Sequence, residues 1–295
     1  MPLYMSGVIP PQPICRPYTM DTPVEQPATT ARIRPTITGV VLTRDGERLV
    51  RKCLQSLFFC DTVLVVDSGS KDTTMVTARE LGAEIVQNEW KGFAAQFTFA
   101  ATCVRTDWFF ILDQDEICSP ELAEAIQASI KTVAPTGKDS MQAPVAFSVA
   151  RRSWYLDRFM KHGGWYPDHI LRVFRTGYVD FSQDAHIHYH PRGRSSHIED
   201  GEIIHYPYIG FHHQLAKLNE YADQGAEALR ASGKKGGIAA GMCHGFARFF
   251  RIYIIKAGFL DGRAGFLAAA HGSFYAFLKY VRVLDASWGK PFDHN

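Results

Sequence analysis

Short apolar segments alternate with segments of helical composition between residues 37 and 130, and this alternation restricts the fold more than any other feature. Ser119 is a good N-cap residue and Pro120 suits the first helical position after the last apolar segment. The pattern predicts an α/β fold, with a mostly parallel sheet flanked by helices. The predicted strands are ITGVVLT (37–43), TVLVVDS (62–68), AEIVQ (83–87) and WFFIL (108–112).

Polar clusters follow three of these strands: TRDGE (43–47), DSGSKD (67–72) and DQDE (113–116). Because ligands bind at the carboxyl ends of strands in such sheets, we expect the clusters to line one edge. Carboxylates two residues apart, such as Asp113 and Asp115, suit Mg²⁺ or Mn²⁺ that is also held by substrate phosphates. The alternatives are a solvated turn before Ser119 and, for DSGSKD, an ordinary turn with Asp72 as a helix cap.

The absence of three common motifs and the low net charge argue against several classes of protein. No GxGxxG, GxxxxGK[ST] or GxSxG motif follows a predicted strand, which disfavours dinucleotide-dependent dehydrogenases, P-loop kinases and α/β-hydrolases. The formal net charge is only +2, so nucleic acid is not expected as a partner.

The chain divides by composition into three parts. Residues 1–34 are rich in proline and are predicted to be a disordered tail, 35–208 form the α/β domain, and 209–295 form a helical C-terminal extension. No signal peptide is recognisable and cations interrupt the apolar runs near the C-terminus, so we expect a cytoplasmic protein. The segment with Arg248, Arg251 and Lys256 suits either an interfacial membrane helix or a helix packed on the domain.

A family resemblance rests on the order and spacing of several segments. ITGVVLTRDGERLVRKCLQSLFFCDTVLVVDSGSKDTT, GAEIVQNEWKGFAAQ and DWFFILDQDEICSPEL resemble the inverting family-2 glycosyltransferases with the GT-A fold. HGGWYPDHILRVFR and YIIKAGFLDGRAGFLAA resemble the branch with the bacterial lipopolysaccharide core β-1,4-glucosyltransferases. The resemblance implies transfer of a sugar, glucose from UDP-glucose, to a lipid-linked glycan such as lipopolysaccharide core. It also implies Mg²⁺ or Mn²⁺ as cofactor and the cytoplasmic face of the inner membrane as the place of action.

The resemblance further implies roles for individual residues. Asp115 is the expected metal ligand, and Asp168 and Arg172 are expected to contact the acceptor. Trp165 is a candidate stacking platform for the acceptor sugar, with core packing as the alternative. The residues expected to bind the nucleotide-sugar are Thr43, Glu47, Asp67, Gln96 and Asp113.

The chain departs from the branch at three places. Phe97 and Thr98 follow Gln96 where a basic residue is common, and His169 stands where arginine is frequent. Ile187 occupies the position of the glutamate expected to be the general base.

Inverting transfer needs a group that takes the proton of the acceptor hydroxyl. Asp184 and His186 are the first candidates, with His188, Glu199 and Asp200 as further ones. A catalytically weak UDP- or glycan-binding relative and a nucleotidyltransferase remain as alternative functions. The alternating His186, His188 and His190 suggest a zinc site less readily than loop or acceptor-site histidines.

Overall fold

The computed structural model describes residues 34–133, 143–183 and 187–287. Its strands are β1 (Ile37–Thr43), β2 (Thr62–Asp67), β3 (Glu84–Gln87), β4 (Trp108–Asp113), β5 (Glu116–Cys118), β6 (Ala146–Tyr155), β7 (Arg158–Phe159), β8 (Asp168–Arg175), β9 (Val179–Gln183), β10 (Ile187–Pro191) and β11 (Ser195–His205). Its α-helices are α1 (Val50–Gln55), α2 (Thr74–Glu80), α3 (Phe93–Cys103), α4 (Pro120–Thr132), α5 (Phe211–Ala231), α6 (Ile238–Phe250) and α7 (Gly262–Val281).

The strands form one large mixed sheet in the order β3-β2-β1-β4-β8-β6-β11-β5, and β7 pairs with β6. The first four strands of this order are parallel, as predicted, whereas β8 runs antiparallel to both β4 and β6. A separate antiparallel hairpin is formed by β9 and β10. The α/β architecture of the GT-A type is therefore confirmed, with a sheet that becomes mixed beyond β4.

Strand register brings the polar clusters to one level of the sheet. Thr43 at the end of β1 pairs with Asp67 at the end of β2, and Leu42 pairs with Asp113 at the end of β4. Because parallel strands present their carboxyl ends at the same edge, these pairings place the three clusters side by side.

Both faces of the sheet are buried. Val41 and Phe110 belong to a core shared with α1 and α4, while Val40 and Ile111 belong to a second core shared with α3. Successive residues of a strand point to opposite faces, so the uninterrupted apolar strands supply both cores.

The C-terminal helices are joined to the α/β domain by specific contacts. The backbone N–H groups of Lys161 and His162 donate to Asp261 Oδ2 at 3.1 and 2.7 Å. Gly163 N–H donates to Lys256 O at 2.8 Å. Asp261 is only 4% exposed, so the loop before β8 is held by a buried carboxylate in the α6–α7 connection.

One helical stretch, Ile238–Ile255, is long and apolar enough to cross a membrane by length and composition, with mean hydropathy 1.2 over 18 residues. The sequence pattern did not predict this, because Arg248 and Arg251 interrupt the apolar run. The stretch continues α6 into a π-helical turn (Arg251–Ile255), and only 11% of it is buried.

The first turn of α7 depends on the absence of a side chain at Gly265. A Cβ there would lie 1.8 Å from Gly258 O, so Gly265→Ala should lower the free energy of unfolding by about 1–3 kcal/mol. Urea denaturation measures this. As a control, Gly210→Ala should change it by less than about 1 kcal/mol, since no heavy atom lies within 4 Å of the added carbon. Equal values for both variants would contradict this packing.

Candidate active site

A cleft lies along the edge where β1, β2 and β4 end. It consists of two adjoining cavities of about 460 and 470 Å³ that share Trp90, Phe93, Asp113, Arg151 and Tyr221. Residues found only in the first cavity include Thr43, Arg44, Ser68, Asp115, His205 and Lys217. Residues found only in the second include Ile170, Arg172, Ile187, Tyr189 and Gln224.

Asp67 shapes the turn after β2. Its Oδ1 accepts from Thr43 Oγ1 at 3.1 Å, and its Oδ2 accepts from the backbone N–H groups of Gly69 and Ser70 at 2.9 and 3.0 Å. Asp67 is fully buried, whereas Thr43 lines the first cavity. Asp67 thus orders the cleft wall from beneath, and its direct contact with a nucleotide stays a prediction.

Gln96 and Glu47 also hold loops together. Gln96 is fully buried, and its Nε2 donates to Ser68 Oγ at 2.7 Å and to Asn88 O at 3.0 Å. Glu47 Oε2 accepts from Thr73 Oγ1 at 3.0 Å. Neither residue lines the two cavities, so their nucleotide contacts likewise stay predictions.

Gln114, between the two aspartates, joins the end of β1 to the turn after β4. Arg44 N–H donates to its Oε1 at 2.9 Å, and its Nε2 donates to Arg44 O at 3.0 Å. The side-chain amide therefore pairs with the backbone as a neighbouring strand would. Sequence reasoning missed this role, because any polar residue is plausible between two aspartates.

A buried ionic network lies directly behind the aspartates. Arg172 Nη2 donates to Asp113 Oδ2 at 2.8 Å and to Glu116 Oε1 at 2.9 Å. Arg151 donates to the same Glu116 oxygen at 3.1 Å and to Asp168 Oδ2 at 2.6 Å. Glu116 is fully buried and Arg172 is 4% exposed. Asp168 and Arg172, expected to contact the acceptor, are thus engaged with other charges beside the second cavity.

The two inner carboxylates differ in their electrostatics. Burial alone would raise the pKa of Glu116, but the charge of Arg172, aided by His205 and Arg151, holds that pKa well below its usual range. Burial, with the neighbouring charges of Asp113 and Glu116, raises the pKa of Asp115 to about 7. Among the residues that the structure describes, no arginine or lysine forms an ion pair with Asp115.

His205, at the end of β11, is the neighbour of Asp115. Its Nε2 lies 3.7 Å from Asp115 Oδ1, and its Nδ1 lies 3.0 Å from Ser153 Oγ. Burial lowers the pKa of His205 to about 4, so the imidazole is neutral near pH 7. The tautomer that donates from Nδ1 to Ser153 leaves the Nε2 lone pair on the side of Asp115.

Asp115 and His205 together fit a divalent cation that is shared with a substrate. Within the described ranges, no group of three or more His, Cys, Asp or Glu side chains is arranged to hold a metal alone. A carboxylate oxygen and a neutral imidazole nitrogen are two ligands, and Mg²⁺ or Mn²⁺ commonly completes its shell with phosphate oxygens and water. A cation here would also offset the burial and the charges of Asp113 and Glu116, which Lys217 and Arg48 counteract only in part.

The remaining predicted residues have different outcomes. Trp165 is partly buried with its ring centroid 5.1 Å from that of Tyr155, packs on the α7 side and lines neither cavity. Asp184 and His186 lie outside the described residues. Ile187, which follows them directly, lines the second cavity.

Sequence reasoning missed Glu116 as a buried anchor, and it missed Arg151, Ser153 and His205 altogether. The one available signal for His205 is that it ends an apolar strand, IIH (203–205), as the aspartates end theirs.

Removing the Arg172 charge should destabilise the fold. Arg172→Met leaves the buried Glu116 with less compensation, and we expect a loss of about 3–5 kcal/mol in the free energy of unfolding at neutral pH. Because the pKa of folded Glu116 is lowered, its contribution is present above the unfolded pKa of about 4.5 and is lost as pH falls below it. Denaturant titrations should therefore show the difference in unfolding free energy between wild type and variant narrowing from about pH 5 to about pH 2. A gap independent of pH would contradict this account.

Comparison with known proteins identifies the family. The model of "Glycosyl transferase family 2" matches residues 40–187, which is half of the chain and contains the end of β1, all of β2 to β4 and the aspartates. The "Lipopolysaccharide core biosynthesis glycosyltransferase LpsC" of Rhizobium meliloti (strain 1021) is 26% identical over 259 residues, covering 84% of this chain and 91% of the relative. An "Uncharacterized glycosyltransferase" of Rickettsia bellii is 24% identical, covering 85% and 87%.

Solved structures show more distant similarity. S. aureus TarS 1–349 in complex with UDP-GlcNAc matches with a TM-score of 0.44 at 13% identity, covering 85% of this chain and 83% of that one. Glucosyl-3-phosphoglycerate synthase from Mycobacterium tuberculosis in complex with Mn²⁺, UDP-glucose and phosphoglyceric acid has a TM-score of 0.32 at 19% identity. The match covers 40% of this chain and less than half, 44%, of the synthase.

The family match spans the strand ends that border the cleft, and it sets the nucleotidyltransferase alternative aside. The chain belongs to glycosyl transferase family 2.

Proposed function

We propose that this glycosyltransferase is metal-dependent and inverting, and that it moves glucose from UDP-glucose to a hydroxyl of a lipid-borne glycan such as lipopolysaccharide core. The carrying observation is Asp115, a carboxylate without an arginine or lysine ion-pair partner among the described residues, beside the neutral His205 in the cleft. The name of the R. meliloti relative supports the acceptor class. The donor sugar rests on the resemblance to the β-1,4-glucosyltransferase branch. The place of action would be the cytoplasmic face of the inner membrane, where such an acceptor is carried.

The first cavity suits the nucleotide diphosphate. When bound by Asp115 and His205, a divalent cation would stabilise the charge that develops on the leaving diphosphate. Arg44 from the loop after β1 and Lys217 from α5 line the same cavity and bring further positive charge. The Nζ of Lys217 donates a hydrogen bond to Pro207 O at 3.0 Å, which orients this side chain.

Two aromatic side chains stand where the cavities meet. Trp90 and Phe93 are 40% and 42% exposed, and their rings contact edge to face with centroids 4.8 Å apart. Exposed aromatic faces offer stacking surfaces to a planar base or to a sugar ring. We propose that this pair stacks on the donor and, because both rings line both cavities, also borders the acceptor.

The second cavity suits the acceptor sugar. Tyr189, Tyr221 and Gln224 give it hydroxyl and amide groups that can hydrogen-bond a glycan. Asp113 is the one carboxylate among the described residues that line it, and that carboxylate is paired with Arg172. The base is therefore assigned to Asp184, three residues before the cavity residue Ile187, with His186 as the second choice. Asp168 and Arg172 are kept as proposed acceptor contacts beside this cavity, whereas the acceptor-platform role of Trp165, which packs against Tyr155 and lines neither cavity, stays a prediction.

The metal assignment is tested with Asp115→Asn. Isothermal titration with UDP should show binding that strengthens with Mn²⁺ in the wild type, and this Mn²⁺ effect should vanish in the variant. Turnover of UDP-glucose on glycolipid extract should fall by about 10²–10³-fold, as for loss of a group that stabilises leaving-group charge. Asp180→Asn, an exposed aspartate paired with Arg192, is the control and should behave as the wild type. Unchanged metal-dependent binding in Asp115→Asn would contradict the proposal.

The base assignment is tested with Asp184→Asn and His186→Ala. Loss of the base should lower turnover by about 10²–10⁴-fold and leave UDP and Mn²⁺ binding intact, because the proton is transferred only in the chemical step. Glu124→Gln, an exposed acid of α4 that lines neither cavity, is the matched control. Full activity of both Asp184→Asn and His186→Ala would remove these residues from the mechanism. Metal-dependent UDP binding without turnover in the wild type would favour the catalytically weak relative.

A further inference from the structure

One side of α6 carries large apolar side chains in contact with solvent. Ile238, Met242, Phe246 and Phe250, with Ile254 in the π-helical turn that continues α6, are 64%, 62%, 74%, 47% and 46% exposed. Their spacing of four residues spreads them over an arc of about 160°, which covers one side of the helical stretch and is here named the α6 face. A contiguous surface of five large, exposed apolar side chains is uncommon on a soluble domain and marks a site of interaction.

The α6 face continues onto the connection to α7. Ile255, Phe259, Leu260 and Phe266 are 69%, 48%, 58% and 48% exposed. The Phe249 and Phe266 rings lie 5.8 Å apart and join the two helices into one aromatic surface. The exposed apolar area therefore spans both helices.

The opposite side of α6 is packed against α7, which decides how the helix can meet a bilayer. A Cβ at Gly241 would lie 2.9 Å from Phe277 O, and one at Gly245 would lie 3.1 Å from Ser273 O. Backbone contacts this close hold α6 along the folded protein. The stretch that is long enough to cross a membrane is thus placed to lie in the interface with one face immersed.

Charge indicates what covers the face. Residues 228–260 contain no aspartate or glutamate. The exposed Arg251 follows Phe250 directly, about 100° around an ideal helix, so this cation borders the apolar stripe. A second copy would bring an equal positive charge to the same surface, whereas anionic lipid headgroups complement it. The basic residues of this range are Arg230, Lys234, Lys235, Arg248, Arg251 and Lys256.

We propose that the α6 face docks the protein on an anionic lipid surface, with α6 parallel to the membrane. The purpose of docking rests on the proposed function, because it brings the cleft to a lipid-borne acceptor. Lys256 O and Asp261, in the same connection, hold the loop that leads into β8. The docking surface and the acceptor side of the cleft are therefore mechanically joined.

Cys243 offers a direct test in the native sequence, because it is a free, exposed thiol on α6 next to Met242. An environment-sensitive fluorophore on Cys243 should shift to the blue with phosphatidylglycerol vesicles and much less with phosphatidylcholine vesicles. The shift should weaken as salt is added, because surface charge attraction is screened. The same labelling of Cys243→Ser gives the background from other thiols. No shift with either vesicle would overturn the proposal.

Substitutions test the apolar contribution. Phe246→Glu combined with Phe250→Glu should weaken sedimentation with phosphatidylglycerol vesicles by about tenfold or more. Phe58→Glu is the matched control, because Phe58 is 61% exposed on another part of the molecule, and it should bind as the wild type. Equal vesicle binding by the double variant, or a dimer that the double substitution disperses without any vesicle binding, would overturn the proposal.

The assays contain neither donor nor acceptor, which separates docking from catalysis. Vesicle binding retained in Asp115→Asn would uphold docking whatever that variant does to turnover. Wild-type turnover on glycolipid without vesicle binding would overturn docking and leave the proposed function standing.

Discussion

The buried pairing of Glu116 with Arg172 and Arg151 is the interaction on which the site depends. A fully buried carboxylate is costly unless opposite charge and hydrogen bonds compensate it, and here two guanidinium groups and the Asp113 backbone N–H do so. This pairing fixes the chain immediately after β4 and engages Asp113 as well. Asp115, one residue away, is left facing the cleft without an arginine or lysine partner in the described part of the chain. The ion pairs of Glu116 thus fix the position of Asp115, the carboxylate next to it in the chain.

The first half of this arrangement could be predicted from the sequence. The alternation of helices with apolar strands that end in acids predicts the parallel strands β1 to β4. It also predicts that Thr43, Asp67 and Asp113 lie at one edge of the sheet, as the strand register shows. The residues that complete the site come from far along the chain. Arg172, 59 residues after Asp113, and His205 arrive on β8 and β11, whose places in the sheet no local pattern encodes. Local periodicity also could not show that Asp67 and Gln96 would be fully buried, because both types of residue are ordinarily found at the surface.

The helical extension contributes to the cleft as well as packing beside it. Lys217 and Tyr221 of α5 line the cavities, and Asp261 in the α6–α7 connection holds the loop that contains Gly163. The boundary predicted at residue 208 is a change of composition, and the cleft takes residues from both sides of it. The segments HGGWYP and AGFLDGR, which both belong to the resemblance, are in contact through Asp261.

The central claim is that a cation between Asp115 and His205 holds the diphosphate of an activated sugar. The most direct test is a crystal structure of the wild-type protein with UDP and Mn²⁺, with anomalous difference density recorded at the manganese edge. The account predicts one peak within coordination distance of Asp115 and of His205 Nε2, in contact with the diphosphate. UDP bound in the cleft with no manganese at Asp115, or manganese bound elsewhere, would contradict it.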